Sequence, residues 1–110
     1  MAHGSKIPKF PLVQRVKGRL EALYGERLAG LYLYGSHARG KARADSDIDL
    51  LAVLSGRMTS CEEMDKLVDA TYDLELESGE LISVYPVASE RYEMADSPLL
   101  RTIRREGISV

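Results

Sequence analysis

Two aspartates separated by one residue follow a glycine–serine pair in the centre of the chain. Residues 31–54 read LYLYGSHARGKARADSDIDLLAVL and contain Gly35 and Ser36, then Asp47 and Asp49. Glycine after a strand lets a phosphate approach the backbone, and amides at the start of a helical turn attract an anion. Two carboxylates on one face of a strand repel each other unless a cation lies between them. The pattern therefore predicts a site for a nucleoside triphosphate and its Mg²⁺.

Each half of this pattern is ambiguous when it stands alone. A glycine–serine pair after a strand is most often an ordinary turn, and Asp47 and Asp49 also suit the solvated start of a strand. The combination is more specific, because it places a phosphate cradle and two carboxylates side by side on neighbouring strands. With two metal ions, such a site activates the attacking oxygen and steadies the leaving pyrophosphate.

Length and composition predict a single domain over residues 1–110, with residues 1–9 as a flexible N-terminus. The chain has 110 residues, of which 45% are apolar and 29% charged, and it is too short for a second core. It has no apolar run of the length that spans a membrane and no signal peptide. The single cysteine, Cys61, suits a reducing compartment. We therefore expect a cytoplasmic protein without a membrane partner.

The charge balance bears on the choice of partner. The formal net charge is −2, whereas proteins dedicated to nucleic-acid binding usually carry a strong basic excess. Nucleic acid is therefore disfavoured as a partner.

Hydrophobic periodicity predicts an α+β fold with a small mixed β-sheet covered by helices on one side. We expect helices over residues 10–25 and 61–72, a helical turn over 36–40, strands over 28–34, 47–54, 73–77 and 81–87, and short terminal helices starting at Ser89 and Ser97.

Two local patterns refine the second half of the chain. Ser60 and Glu63 form a capping-box signature, after which Met64, Leu67, Val68 and Thr71 are expected to face the core. Residues 78–79 suit a hairpin turn, so the runs 73–77 and 81–87 are expected to pair antiparallel. Pro86 indicates that the last strand ends there or lies at an edge of the sheet.

The segment GSHARGKARADSDIDLL resembles the signature of the DNA polymerase beta-type nucleotidyltransferase superfamily, specifically its minimal free-standing members. The likeness covers nearly the whole chain. It implies transfer of a nucleotide monophosphate, with ATP as the favoured donor, to a hydroxyl with release of pyrophosphate. It also implies that Asp47 and Asp49 are catalytic Mg²⁺ ligands, for two ions, and that Gly35 and Ser36 grip the triphosphate. Arg39 is a nucleotide-binding candidate, with a surface ion pair as an equal alternative.

Minimal members of this superfamily commonly accompany a helical HEPN protein as the antitoxin of a toxin–antitoxin pair. The resemblance therefore implies a HEPN-type partner in a hetero- or homo-oligomer. It further implies that the antitoxin neutralises its toxin by binding it or by adding AMP to a tyrosine.

The superfamily pattern usually includes a third carboxylate from a later strand, and this chain departs from it. The matching run, residues 81–87, contains Ser83 and Tyr85 but no acid. Glu75, Glu77 and Glu80 are the alternatives, although an exposed acidic surface fits them better. Two hypotheses remain: an active transferase, or a catalytically weak module that neutralises its partner by docking. A nucleic-acid-modifying transferase fits less well.

Overall fold

A four-stranded sheet with helices on both faces forms the described part of the chain. The computed structural model describes residues 10–35, 38, 47–94 and 97–110. Its elements are α1 (Phe10–Tyr24), a 3-10 turn (Gly25–Arg27), β1 (Leu28–Tyr34), β2 (Ile48–Leu54), α2 (Ser60–Ser78), β3 (Ile82–Ala88), α3 (Ser89–Met94), α4 (Pro98–Glu106) and β4 (Ile108–Ser109).

The sheet is mixed, in the order β3-β2-β1-β4. Strand β1 runs antiparallel to both β2 and β4, whereas β2 and β3 run parallel and are joined through α2. Parallel strands need a crossover connection of this kind, usually a helix. Strand β3 lies at the edge, which is where proline is tolerated in a sheet, so the edge position predicted from Pro86 is confirmed.

The main hydrophobic core lies between the sheet and the pair α1 and α2. The stripe that α1 buries is Leu12, Val13, Val16, Leu20 and Tyr24. Alternate residues of β2 contribute from the sheet: Ile48, Leu50, Ala52 and Leu54. Both patterns follow from the periods of a helix and a strand.

A second, smaller core covers part of the opposite face. Leu51 and Val53 of β2 pack there with Val87, against Leu100 and Ile103 of α4. The expectation that helices cover only one side was therefore wrong. Strand β2 is apolar on both faces beyond Asp49, so both faces must be shielded from water.

The predicted strand over residues 73–77 is instead the end of α2. Its Leu–acid alternation suggests a strand, but Leu74 is buried while Leu76 is 68% exposed. Two arginines of α1 hold the acids of this segment, since Arg19 pairs with Asp73 and Arg15 with Glu77. The helix ends where Gly79 adopts a left-handed conformation with φ +76°. There is accordingly no hairpin at residues 78–79, and β3 pairs with β2 in parallel.

The start of α2 also differs from the prediction. Its N-cap is Thr59, whose side chain makes no capping hydrogen bond, and Glu63 points into the protein instead of back to the cap. Met64 and Val68, predicted to face the core, are exposed. The buried side chains of α2 are Glu63, Leu67, Thr71 and Leu74.

The helix over 10–25, the first two strands and the helices starting near Ser89 and Ser97 agree with the sequence analysis. Cys61 is exposed. The two-residue strand β4 was not predicted. None of the described helices is both long and apolar enough to cross a membrane. The flexible terminus over residues 1–9 and nearly all of the helical turn over 36–40 fall outside the described residues.

A buried carboxylate ties α1 to the start of α2. Glu63 is 4% exposed, and its Oε1 accepts a hydrogen bond of 2.8 Å from the Tyr24 hydroxyl. The Arg27 guanidinium lies 3.9 Å from Oε2. Burial raises the pKa of Tyr24, and the bond to the Glu63 carboxylate raises it further. The Tyr24 phenol therefore stays protonated and is the donor of this hydrogen bond.

Replacing Tyr24 by Phe removes the donor that this carboxylate needs. We expect Tyr24→Phe to lower the free energy of unfolding by about 1–3 kcal/mol, the usual cost of an unpaired buried acceptor. Urea denaturation measures the loss. Tyr72→Phe is the matched control, since Tyr72 is exposed, and it should change stability by less than about 0.5 kcal/mol. Equal effects of the two variants would contradict this role of the hydroxyl.

Candidate active site

Gly35 and Asp49, predicted from the sequence to lie close together, are in direct contact. Gly35 follows β1 with φ +74°, in the left-handed region that favours glycine. A Cβ at Gly35 would lie 2.7 Å from Oδ2 of Asp49, a distance that no real Cβ occupies. The carboxylate of Asp49 therefore lies directly over the bare Cα of Gly35, and only glycine leaves it that room.

The sheet register fixes what surrounds Asp49. Asp49 of β2 pairs with Tyr34 of β1 on one side and with Ser83 of β3 on the other. Burial raises the pKa of Tyr34, and the negative charge of Asp49 and the nearby Tyr85 raise it further. The half-buried Asp49 thus has a neutral phenol on one side and a serine on the other.

Asp47 lies immediately before β2 and is exposed. It lies two residues before Asp49, the spacing at which residues within a strand share a face, and it precedes the first strand residue, Ile48. Asp47 also lines a pocket of about 250 Å³ between α2 and β3, together with Ser83, Thr71 and Glu75. The two aspartates therefore flank the beginning of β2, one solvated and one packed against the glycine turn.

The three glutamates predicted as alternatives for a third carboxylate do not lie on a strand that pairs with β2. Glu75 and Glu77 lie on α2. The backbone N–H of Ile82 donates to Oε2 of Glu75 at 2.9 Å. Arg15 donates to both oxygens of Glu77 at 2.8 and 3.3 Å, and this guanidinium lowers the pKa of that carboxyl. Glu80 lies in the connection between α2 and β3, where its N–H donates to the Ser78 hydroxyl.

Ser83 occupies the strand position opposite Asp49. Across the described ranges, no group of three or more histidine, cysteine, aspartate or glutamate side chains is arranged to hold a metal ion. Among the described residues, Asp47 and Asp49 are the carboxylates at the beginning of β2, and Glu75 of α2 lines the pocket beside Asp47.

The donor set of this pair fits Mg²⁺ and a nucleotide. Magnesium is usually held by one or two carboxylates, with substrate phosphates and water as its other ligands. Asp47 and Asp49 supply the carboxylates, and the place that a Cβ would take at Gly35 is filled by the Asp49 carboxylate. Ser36 and Arg39, the other predicted nucleotide-binding residues, lie outside the described part of the chain, and so do the remaining basic residues of the segment, Lys41 and Arg43.

Sequence reasoning missed two tyrosines near this site: Tyr34, which pairs with Asp49, and Tyr85, which is close enough to Tyr34 to raise the pKa of that phenol. The position of Tyr34 could have been predicted from the pairing of the first two strands. If Gly35 begins the turn after β1 and Asp49 begins β2, an antiparallel pair places Tyr34 next to Asp49. The position of Tyr85 follows from the parallel pairing of β3 with β2. The sequence analysis expected an antiparallel hairpin instead and so could not predict this position.

A larger cavity, of about 680 Å³, lies at the other end of the sheet. Its lining includes Arg57, Glu62, Glu63 and Arg91, near the ends of β2 and β3. Asp47 and Asp49 lie where β2 begins, so the cavity is removed from them by about the 20 Å length of a seven-residue strand. It does not include the predicted site.

Comparison with known proteins identifies the family. The profile described as "Nucleotidyltransferase domain" matches residues 13–109, almost the whole chain. This protein is a member of that family. The superfamily resemblance and the fold predicted from the sequence are thereby confirmed. No curated protein sequence matches the chain significantly.

Solved structures support the same fold. A Sulfolobus solfataricus protein provisionally named a nucleotidyltransferase has a TM-score of 0.69 at 19% identity, over 96% of this chain and 81% of its own. A toxin–antitoxin crystallised with AMP-PNP has a TM-score of 0.64 at 17% identity, over 87% of this chain and 69% of its own. A mutant of the toxin–antitoxin MntA-HpeT has a TM-score of 0.58 at 15% identity, over 89% of this chain and 70% of its own.

The contact between Gly35 and Asp49 can be tested by adding a methyl group. Gly79→Ala is the control, because Gly79 has nearly the same φ of +76° but open space around its Cβ position. We expect Gly79→Ala to cost about 1 kcal/mol of unfolding free energy from backbone strain alone. Gly35→Ala should cost about 1 kcal/mol more, since Asp49 must move.

A double-mutant cycle identifies the source of the extra cost. In an Asp49→Ala background, the effect of Gly35→Ala on denaturant-induced unfolding should fall to that of Gly79→Ala. An unchanged effect in that background would show that the carboxylate does not lie over the glycine.

Proposed function

We propose that this protein is a Mg²⁺-dependent nucleotidyltransferase that transfers AMP from ATP to a hydroxyl of a partner protein, as the antitoxin of a HEPN-type toxin–antitoxin pair. The observation that carries the proposal is the contact between Asp49 and Gly35, with Asp47 two residues before Asp49. A carboxylate pair beside a glycine turn supplies the carboxylates that a magnesium ion takes, and the phosphates of a nucleotide would be its other ligands.

In the proposed reaction, the acceptor oxygen forms a bond to the α-phosphorus of ATP. The bond from that phosphorus to the bridging oxygen of the β-phosphate breaks, and pyrophosphate leaves with the electron pair. Mg²⁺ neutralises the charge of the phosphates and orients them. Asp47 and Asp49 hold the ion, while Gly35, Ser36 and Arg39 hold the triphosphate. The acceptor proton passes to water, since the strand position opposite Asp49 is Ser83.

Two of the structural neighbours support the choice of nucleotide and partner. One is a toxin–antitoxin crystallised with AMP-PNP, an analogue of ATP. The other is a MntA-HpeT mutant in which two aspartates, two positions apart, are changed to glutamate. Asp47 and Asp49 have the same spacing in this chain. The acceptor is proposed to be a protein because a chain of net charge −2 lacks the basic excess that nucleic-acid binding usually requires.

Isothermal titration of ATP, with and without Mg²⁺, tests the site. We expect Mg²⁺-dependent binding that weakens at least about tenfold in Asp47→Asn/Asp49→Asn, because the amides keep the shape but lose the charge that holds the ion. Asp65→Asn/Asp69→Asn is the control, since it removes two exposed carboxylates from α2. Equal binding by wild type and the Asp47→Asn/Asp49→Asn variant would refute the proposed site.

The second candidate function is a docking module with little catalytic activity. It is favoured by one observation, the serine at the strand position opposite Asp49. A serine neither binds a metal as a carboxylate does nor accepts a proton at neutral pH. If Asp47→Asn/Asp49→Asn loses nucleotide binding but still neutralises its toxin, docking alone is the function.

The Ser83→Asp variant tests whether the absence of a third carboxylate limits the rate of the reaction. We expect this variant to form AMP from ATP and water at least about tenfold faster than wild type, because a positioned base typically contributes about 10²–10⁴-fold. Chromatographic separation of AMP, with Mg²⁺ present, measures the rate. Ser83→Asn is the control, having the same size without a proton acceptor. Equal rates for both variants would mean that Ser83 does not occupy the place of the base.

A further inference from the structure

Helix α2 carries a stripe of large apolar side chains on its outer surface. Met64, Val68, Tyr72 and Leu76 follow one another at intervals of four residues and are 39%, 56%, 58% and 68% exposed. Residues at this spacing are neighbours on a helix surface. Leu81, just after the helix, is 63% exposed. We call these five residues the α2 stripe. The other large apolar side chains exposed among the described residues are scattered: Leu23, Tyr85, Met94 and Leu99.

The core of this chain does not account for the α2 stripe. The inner side of α2 is already packed by its buried residues, including Leu67 and Leu74, against α1 and the sheet. An exposed apolar row of this extent on a small domain marks an interaction surface.

The charges beside the stripe indicate what kind of partner covers it. Asp65 and Asp69 are exposed on the same outer side of α2, and Glu62 is exposed at its start. The only basic residue of this helix, Lys66, lies 3.9 Å from Glu63. The stripe is therefore apolar with an acidic border, which complements a partner surface that is apolar with a basic border.

A second copy of this chain fits the surface poorly. Pairing α2 with α2 would bring the acidic borders of both copies together, and like charges at an interface are unfavourable. Helix α4 is basic, with Arg101, Arg104 and Arg105, but Leu99 is its only large apolar side chain that is exposed. A single leucine does not match five apolar side chains, so a different protein is favoured.

The α2 stripe adjoins the candidate active site. Met64, Val68 and Leu81 line the same 250 Å³ pocket as Asp47 and Ser83. A partner covering the stripe therefore reaches Asp47 at the beginning of β2, while Asp49 lies on the other face of the sheet, the face of Leu51 and Val53.

We infer that the α2 stripe and its adjoining pocket form the docking surface for the acceptor protein, which presents an amphipathic helix with an apolar row flanked by lysine or arginine. This inference rests on the proposed function for the existence of an acceptor, and it adds the surface that binds it and the chemistry of its binding segment. Helices lay apolar faces into grooves through residues spaced three and four apart, which is the spacing of the stripe.

A synthetic peptide tests the surface without the natural partner. The probe is a fluorescent helical peptide of about 20 residues, long enough to form a helix on binding, with leucines on one face and lysines on both sides of them. A second peptide has the same composition in scrambled order. Fluorescence anisotropy should show that the full chain binds the first peptide at least about tenfold more tightly than the second.

Protein variants locate the binding. Val68→Ser/Leu76→Ser should weaken binding of the amphipathic peptide at least about tenfold, whereas Met94→Ser/Leu99→Ser, which removes two exposed apolar side chains elsewhere, should change it by less than about twofold. Asp65→Lys/Asp69→Lys should weaken it as well, and should improve binding of a peptide that has glutamates in place of the lysines. Circular dichroism verifies that each variant is folded.

Several results would overturn the inference. The first is that the scrambled peptide binds as tightly as the amphipathic one, and the second is that both serine double variants lose the same amount of peptide binding. The third is a dimer, seen in sedimentation, that Val68→Ser/Leu76→Ser converts to monomers. The fourth is binding of the stripe to neutral lipid vesicles. The docking surface and the nucleotide site can be tested independently. Tyr72→Ser/Leu76→Ser, which changes stripe residues outside the pocket, should bind Mg²⁺–ATP as wild type does, and Asp49→Asn should bind the peptide as wild type does, so either proposal can fail alone.

Discussion

The antiparallel pairing of β1 with β2 is the constraint on which the candidate site depends. It places Tyr34 opposite Asp49 and brings Gly35 beneath the Asp49 carboxylate. A slip of one residue would turn every side chain of β2 to the other face. Asp49 would then enter the core between the sheet and the two long helices, while Leu50 would replace it beside Gly35. Because the core residues of β2 fix the register, they also fix the site.

Helix α2 connects this site to the rest of the molecule. Its inner side packs against the sheet, and its later acids pair with Arg15 and Arg19 of α1. Its outer side carries the apolar stripe that ends beside Asp47. The crossover that makes β2 and β3 parallel therefore also forms one wall of the pocket next to the proposed metal ligands. Stability and the proposed recognition use opposite sides of the same helix.

Features encoded by neighbouring residues were predictable from the sequence, and features set by distant contacts were not. The strands around Gly35 and Asp49, the first helix and the aspartate pair follow from local periodicity. Residues 73–77 were assigned to a strand because their alternation fits two structures equally well. The contacts of the helix are with residues far away in sequence: Leu74 is buried in the main core, and the acids pair with arginines of α1. Glu63 resembled a capping residue because it lies three residues after Ser60. Its actual partner, Tyr24, is 39 residues away, so local sequence did not reveal it.

The most direct test of the central claim is a crystal structure with Mn²⁺ and a non-hydrolysable ATP analogue, in which anomalous scattering locates the ion. We predict an anomalous peak within coordination distance of the Asp47 and Asp49 carboxylates, with the triphosphate running past Gly35. A peak in the larger cavity beside Arg57 and Arg91, or nucleotide bound without the ion at the aspartates, would contradict the account.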